Sequence, residues 1–232
     1  MINFENINIS VLKDEFLNKQ KVIIDNVLIP EFADIMHNFY LNEIPQDWWH
    51  ASFFPSINGD HHEHIQNNLE NYYKIKMYET YVKQCLNDPR YSYFFYRTVN
   101  DHYESCNCLH CKIESVLKSD RMVQMLNDIT DLNLINAKTI FANRYTSNCF
   151  LSTHTDDGNG RLAFVLHLTK YWNACWGGLY MDHSDLNNIK TIIPSFNKLI
   201  IFKVGQHETP HSVSPVANDI THQRLSITGW YE

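Results

Sequence analysis

The last third of the chain is a succession of short apolar runs, each closed by a Gly, Asn, Pro or Asp turn. They are Arg161 to Leu168, Trp176 to Tyr180, Lys198 to Lys203, His211 to Val213 and Arg224 to Tyr231. Short runs bounded by turn residues predict β-strands that close into an antiparallel barrel or sandwich.

The preceding half reads as helices with a few strands. Lys21-Val-Ile-Ile-Asp25 reads as a strand, and Pro30 heads a helix carrying Phe32, Ile35, Met36 and Phe39-Tyr40. Apolar groups spaced through residues 64 to 88 predict a long helix ending before Pro89. Tyr91 to Val99 is aromatic and β-branched, hence a strand, and 119 to 130 a helix capped by Ser119 or Asp120. Ser56 to His64, with His61, His62 and His64, reads as a solvated loop before the long helix rather than a metal tract. Tyr91 to Tyr96 reads as core packing rather than a platform for bases. The class is α+β with a mainly β core.

Composition narrows the function. A chain of 232 residues can bury one substantial core without disulfides, and 44% hydrophobic with 19% charged residues is ordinary for a soluble protein. Nineteen basic residues against 26 acidic ones give a net charge of −7, which argues against a nucleic-acid partner. No apolar stretch approaches membrane-spanning length and the first residues lack a signal-peptide pattern, so no membrane partner and a cytoplasmic location are expected.

His154-Thr155-Asp156, with His211 beyond, is the chemical core of the sequence. Alternate side chains of a strand share a face, so His154 and Asp156 can grip one ion while Thr155 and Asp157 point away. Two imidazoles and one carboxylate holding one side of an ion form the donor set of iron(II) sites that keep positions open for a co-substrate and O2. His207 is a rival for the third ligand. His211 is preferred because it opens an apparent strand, whereas His207 sits in a Gly-Gln-His-Glu-Thr-Pro turn.

Tyr145, His154-x-Asp156, Gly160-Arg161, Trp176-Gly-Gly178, Pro194-x-Phe-Asn197-x-Leu199, His211-x-Val213 and Arg224-x5-Trp230 succeed one another in a telling order. This order resembles the prolyl 4-hydroxylase-like branch of the 2-oxoglutarate- and Fe(II)-dependent dioxygenases, specifically over residues 140 to 232 and loosely before. The resemblance implies a double-stranded β-helix, or jelly roll, whose mouth holds the metal. Residues 1–232 would then form a single domain, with 1–130 a helical buttress with added strands and 131–232 the jelly-roll core. It implies Fe(II) on His154, Asp156 and His211, 2-oxoglutarate as co-substrate, and ascorbate as a further candidate cofactor.

Arg224 matches the position that meets the far carboxylate of 2-oxoglutarate, and its planar fork suits that group. Arg224, Ser226, Thr228 and Trp230 share one strand face. If that face lines the barrel, a buried guanidinium needs a partner that the co-substrate would supply. Tyr145 and Thr228 are further candidates for the co-substrate. His167 stands where relatives commonly carry a tyrosine and reads equally as a co-substrate ligand or a satisfied core histidine. The implied reaction hydroxylates an unactivated C–H bond of an amino-acid side chain, with proline, free or in a peptide, indicated by the resemblance alone. Arg144, Arg161 and Asp157 are available as recognition groups. Asp156 disfavours halogenation, which in this superfamily goes with a small residue at that position. A non-catalytic jelly-roll binding or sensing module would need a broken triad or a lost arginine, and the sequence shows neither.

His102, Cys106, Cys108 and Cys111 form a separate cluster that could supply the four ligands of a structural zinc. Its Cys-x-Cys step is tighter than the familiar Cys-x2-Cys, and reduced thiols in a tight connection are the competing reading. Cys85, Cys149 and Cys175 read as isolated buried residues.

Overall fold

The computed structural model describes residues 1–86, 90–99, 106–205 and 209–232. In chain order it contains α1 (Ile9–Lys19), β1 (Lys21–Asp25), α2 (Pro30–Asn38), β2 (Trp49–Phe54), β3 (Glu63–Gln66), α3 (Tyr72–Cys85), β4 (Tyr93–Thr98), α4 (Leu109–Leu117) and α5 (Asp120–Thr130). Eight strands complete it: β5 (Ala137–Tyr145), β6 (Phe150–His154), β7 (Leu162–His167), β8 (Tyr180–Asp182), β9 (Lys190–Ile192), β10 (Lys198–Lys203), β11 (His211–Val213) and β12 (Arg224–Tyr231).

Local chemistry sets the helix starts. The Asn8 and Ser119 side chains accept the Val11 and Met122 N–H groups at the heads of α1 and α5. Pro30 occupies the first turn of α2, where its missing N–H costs nothing.

The described strands join one antiparallel sheet in the order β1-β10-β7-β12-β5-β4-β6-β11-β8-β9, with β2 on β4 and β3 on β2. The sheet is strongly curled, and β4 shows how. One edge pairs along its length with β2; the other meets β6 through Tyr93 and Phe94 and then β5 through Tyr96 and Arg97. One strand edge thus passes from the β6 group to the β5 group and turns the corner between them.

Both faces of β7 are buried. Leu162, Phe164 and Leu166 join the main core under the helices with Leu12, Phe16, Met36, Leu126 and Ile129, while Ala163 and Val165 pack inward with Tyr180 and Phe202. β12 divides the same way. Leu225 and Ile227 enter the helix-side core, and Arg224, Ser226, Thr228 and Trp230 line an interior cavity of about 650 Å³.

Three expectations are corrected. The long helix over 64 to 88 is a strand followed by a shorter helix: Glu63–Gln66 pairs with β2, and α3 starts only at Tyr72. Leu69, read as part of the apolar stripe, is 93% exposed, because Asn68 and Asn71 build a turn there through their side chains. Ser56 to His64 is correspondingly no simple solvated loop, since its end enters the sheet. Trp176 to Leu179 is not a strand but a 3-10 turn and connection, and β8 begins at Tyr180. Its Gly177 and Gly178 have φ of +72° and +63°, and a side chain on Gly177 would strike the Pro215 carbonyl at 2.0 Å, so the backbone can pass there only as glycine. Among the described residues, no helix is long and apolar enough to cross a membrane.

Candidate active site

The antiparallel register of β6 and β11 sets His154 directly opposite His211, with ring centroids 4.3 Å apart. Asp156, just past β6, reaches both: Oδ1 is 3.4 Å from His154 Nε2 and Oδ2 is 3.7 Å from His211 Nε2. Each imidazole is oriented from behind, His154 Nδ1–H donating to the Ser152 carbonyl at 3.0 Å and His211 Nδ1–H to the Thr209 carbonyl at 2.9 Å. That leaves both Nε2 lone pairs directed at the space beside the carboxylate, the arrangement that backs metal-ligating histidines. Around an ion about 2.1 Å from each ligand, adjacent donors on one face lie about 3 Å apart, so the trio needs only a slight inward movement to hold one.

The surroundings pack closely around His211. Tyr180 stacks on His211 at 5.3 Å and Phe202 meets its edge at 4.8 Å. Burial, reinforced by the neighbouring His154, pulls the His211 pKa down to about 4, so the ring is a neutral ligand near neutral pH. Burial pushes the Asp156 carboxyl up, but its proximity to the His154 and His211 imidazoles outweighs this and holds the group below the usual carboxylate range.

Arg224 lies in the same cavity, 2% exposed, its guanidinium 4.7 Å from the centre of the Tyr145 ring. Its Nε has no hydrogen-bond partner, and among the described residues no carboxylate lies within ion-pair distance of it. Gly178 lets the chain pass beside its stem, where a side chain would come within 3.2 Å of Arg224 Cδ. A buried guanidinium with no counter-ion is costly, and a cavity-bound anion removes the cost. Tyr145 lines the cavity, stacked on Phe95 at 5.3 Å, and Thr228 lines it while accepting a 2.7 Å hydrogen bond from Asn143. His167 is fully buried near Arg224 and outside the cavity lining, its two ring nitrogens unpartnered. Burial, with Arg224 and Lys198 nearby, holds its pKa well below the ordinary histidine value.

A further stretch of the cavity wall was not anticipated as part of a site. β4 presents Tyr93, Phe95 and Arg97 to the cavity, with Tyr91 just before it, and the β3 region presents His62 and His64. Tyr91 lies against His154 at 5.6 Å. Arg97 rests on Phe141 at 3.7 Å with its Nε unpartnered, and His62 and His64 bond Tyr93 Oη and Ser52 Oγ at 2.8 and 2.9 Å. The core reading of Tyr91 to Tyr96 holds, with Phe94 stacked on Phe53 at 4.8 Å, and Tyr91, Tyr93 and Phe95 line the cavity as well. The missed signal was the His62-x-His64 alternation, which is the same i, i+2 spacing that marks His154 and Asp156.

Arg144, Arg161 and Asp157 do not line the cavity. Arg144 lies against Trp49 and Tyr96, Arg161 donates to the Asn133 carbonyl, and Asp157 is exposed. His207 and His102 lie outside the described residues. Cys106, Cys108 and Cys111 come together at the head of α4, their sulfurs all within 4.8 Å of one another. Of the three cysteines read as buried, Cys85 and Cys149 are and Cys175 is exposed.

Residues 140–232 match the 2OG-Fe(II) oxygenase superfamily model. The chain is 34% identical over 113 residues to mouse (Mus musculus) "Prolyl 3-hydroxylase OGFOD1", covering 46% of this chain and 20% of that protein. It is 32% identical over 100 residues to "Prolyl 3,4-dihydroxylase OGFOD1" of Ostreococcus tauri, covering 38% of this chain and 19% of that protein. The aligned part is thus about a fifth of the length of each curated relative. A Trichoplax adhaerens prolyl hydroxylase, solved with a peptide fragment of the hypoxia-inducible factor oxygen degradation domain, superposes with a TM-score of 0.63 at 17% identity over 96% of this chain and 87% of that one. A Pseudomonas putida prolyl-4-hydroxylase gives 0.58 at 14% identity over 97% and 98%. The chain is similar to 2OG-Fe(II) oxygenases of the prolyl hydroxylase kind, and the curled sheet with its helices is their fold.

Proposed function

We propose that this protein is a 2-oxoglutarate- and Fe(II)-dependent oxygenase that hydroxylates proline, most readily within a peptide. The observation that carries the reading is the coexistence, in one cavity, of the His154–Asp156–His211 trio and a buried Arg224 without a counter-ion. The names of the relatives supply the proline, and the Trichoplax neighbour's peptide fragment supplies the preference for a peptide. The curled sheet is best read as a double-stranded β-helix, with β5, β12, β7 and β10 on one side and β6, β11, β8 and β9 on the other. Because β1 to β4 enter the same sheet, residues 1–232 are taken as one catalytic unit. The free thiols of Cys85, Cys149 and Cys175 suit a reducing compartment such as the cytoplasm.

His154, Asp156 and His211 would hold iron(II) through Nε2, a carboxylate oxygen and Nε2. Iron supplies activation of O2, coupled to decarboxylation of 2-oxoglutarate, with ascorbate as a reductant that keeps it ferrous. Arg224 would pair with the far carboxylate of 2-oxoglutarate, and the Tyr145 and Thr228 hydroxyls would orient it; His167 would contribute a ring N–H from behind. The aromatic rings of Tyr91, Tyr93, Phe95 and Trp230 exclude water from the reacting carbon. Arg97, on the far wall, is placed to donate to a peptide carbonyl and so to register the substrate.

The test is direct. Protein supplied with iron(II), 2-oxoglutarate and ascorbate is incubated with proline-containing peptides and with free proline. Succinate release and a peptide that gains one oxygen atom on proline are expected. Succinate without any oxygenated product across such a panel would leave an oxygenase of another substrate; no succinate at all would remove the reading.

A further inference from the structure

We propose that Cys106, Cys108 and Cys111 hold one zinc ion at the head of α4, a second metal centre chemically separate from the His154–Asp156–His211 trio. The three sulfurs lie within 4.8 Å of one another, and Cys108 Sγ is 3.5 Å from Cys111 Sγ. Thiolates about 2.3 Å from a tetrahedral zinc sit about 3.8 Å apart, so the pair already has nearly the edge length of such a site. A disulfide would need that separation to fall to about 2.05 Å, and it would leave the third sulfur without a role.

The backbone fixes the position of one of the sulfurs. Cys108 is the N-cap of α4, and its Sγ accepts the Cys111 N–H at 3.4 Å. A cap that is also a ligand locks the first turn of the helix to the ion. All three cysteines are half-buried, so the site is shielded yet open to a fourth donor, water included. Donor softness keeps the two centres apart: thiolates favour zinc, whereas two imidazoles and a carboxylate suit borderline iron(II).

The position gives the ion a task. α4 buries Ile113 and Leu117 in the main core, and the Leu117 carbonyl accepts the Tyr231 hydroxyl of β12 at 2.7 Å. Fixing the first turn of α4 therefore steadies a helix whose last turn holds the end of the strand that carries Arg224, Thr228 and Trp230.

The test uses the full chain prepared under reducing conditions with zinc supplied, in two forms: native, and His154→Ala/Asp156→Ala/His211→Ala to empty the other centre. One equivalent of zinc should remain in the trio-less variant, and a strong chelator that removes it should lower the melting temperature by several degrees. Cobalt(II) placed in the same variant should give an intense thiolate-to-cobalt charge-transfer band, weakened in Cys111→Ser. If the cysteine variant fails to fold, the cobalt spectrum of the chain with intact cysteines decides alone. Three results would each overturn the proposal: no zinc retained in the trio-less variant, cobalt bound without the thiolate band, or a Cys108–Cys111 disulfide recovered from metal-free protein made under the same reducing conditions.

Discussion

The two walls of the cavity are built on opposite principles. On the wall formed by β6, β11 and β12, the histidines of the metal trio are tied from behind to backbone carbonyls and Arg224 is held in place by close packing. On the wall formed by β3 and β4, rings stack on rings, the two histidines bond other side chains, and Arg97 lies flat on Phe141 with its Nε unpartnered. The first wall is closely packed and donor-rich, which suits the proposed metal and small dianion. The second is broad and aromatic, suited to an extended substrate. The family match from 140 to 232 covers the first wall and leaves out the β3 and β4 residues of the second. On the proposed function, the difference places chemistry and substrate choice in separate parts of this chain.

The largest effect should come from the first wall. Asp156→Ala should reduce succinate release from 2-oxoglutarate to background with the fold intact by circular dichroism; native-level turnover in that variant would dissolve the distinction between the walls. Next is Arg224→Ala, which breaks a buried charge-assisted pair worth about 3–5 kcal/mol, or two to four decades of 2-oxoglutarate affinity. Arg224→Lys should fall between, keeping the charge and losing the fork. Calorimetric titration of 2-oxoglutarate into the three proteins reads this ordering.

The second wall should respond differently. Arg97→Gln removes a charged hydrogen-bond donor, worth about 1.5–3 kcal/mol, and should lower kcat/KM for the peptide by about 10- to 100-fold. Peptide-independent succinate release should stay within twofold. Equal losses in both assays would place Arg97 on the co-substrate side and break the comparison. His62→Ala and His64→Ala, each deleting one partly exposed hydrogen bond, should cost less than Arg97→Gln, again in the peptide assay alone.

The smallest effect is a pH dependence shared by both walls. His211 and His64 are each pulled from 6.5 down to about 4, in both cases first by burial. Both take up protons less readily folded than unfolded, so their contribution to stability is present above about 6.5 and is lost as the pH falls towards 4. Asp156, also depressed, acts in the same direction. Denaturant midpoints of metal-free protein should therefore decline from pH 7 to pH 4, and His211→Asn, which cannot titrate, should flatten part of the slope. A midpoint that rises on acidification would contradict the burial of these rings.

Legibility followed locality. His154 and Asp156 were readable as neighbours from their spacing, although Asp156 lies just past the end of β6, and β12 displays its two faces in eight consecutive residues. The pairing of His154 with His211 needed the strands' order, which the resemblance supplied. His62 and His64 escaped because β3 has only four residues and is a strand solely through pairing with β2, so its apolar Ile65 was absorbed into a helical stripe. Arg97 escaped because the run from Tyr91 to Val99 is aromatic on both faces, and only the cavity distinguishes them. His167 was read two ways, and its burial depends on tertiary pairing of β7 between β10 and β12.

The shared edge of β4 also bears on how the protein is made. Its outer partners, Phe150 and Leu151 on one stretch and Asn143 and Arg144 on the other, lie about fifty residues downstream. During synthesis β2, β3 and β4 can pair among themselves as soon as they emerge, but the open edge of β4 and its aromatic face must wait until β5 and β6 have left the ribosome. For that interval the nascent chain presents Phe94, Phe95 and Tyr96 on an unpaired edge, the kind of surface that invites strand addition by a neighbour. Ribosome-bound chains halted shortly after β4 should therefore recruit chaperones more strongly than chains halted after β6.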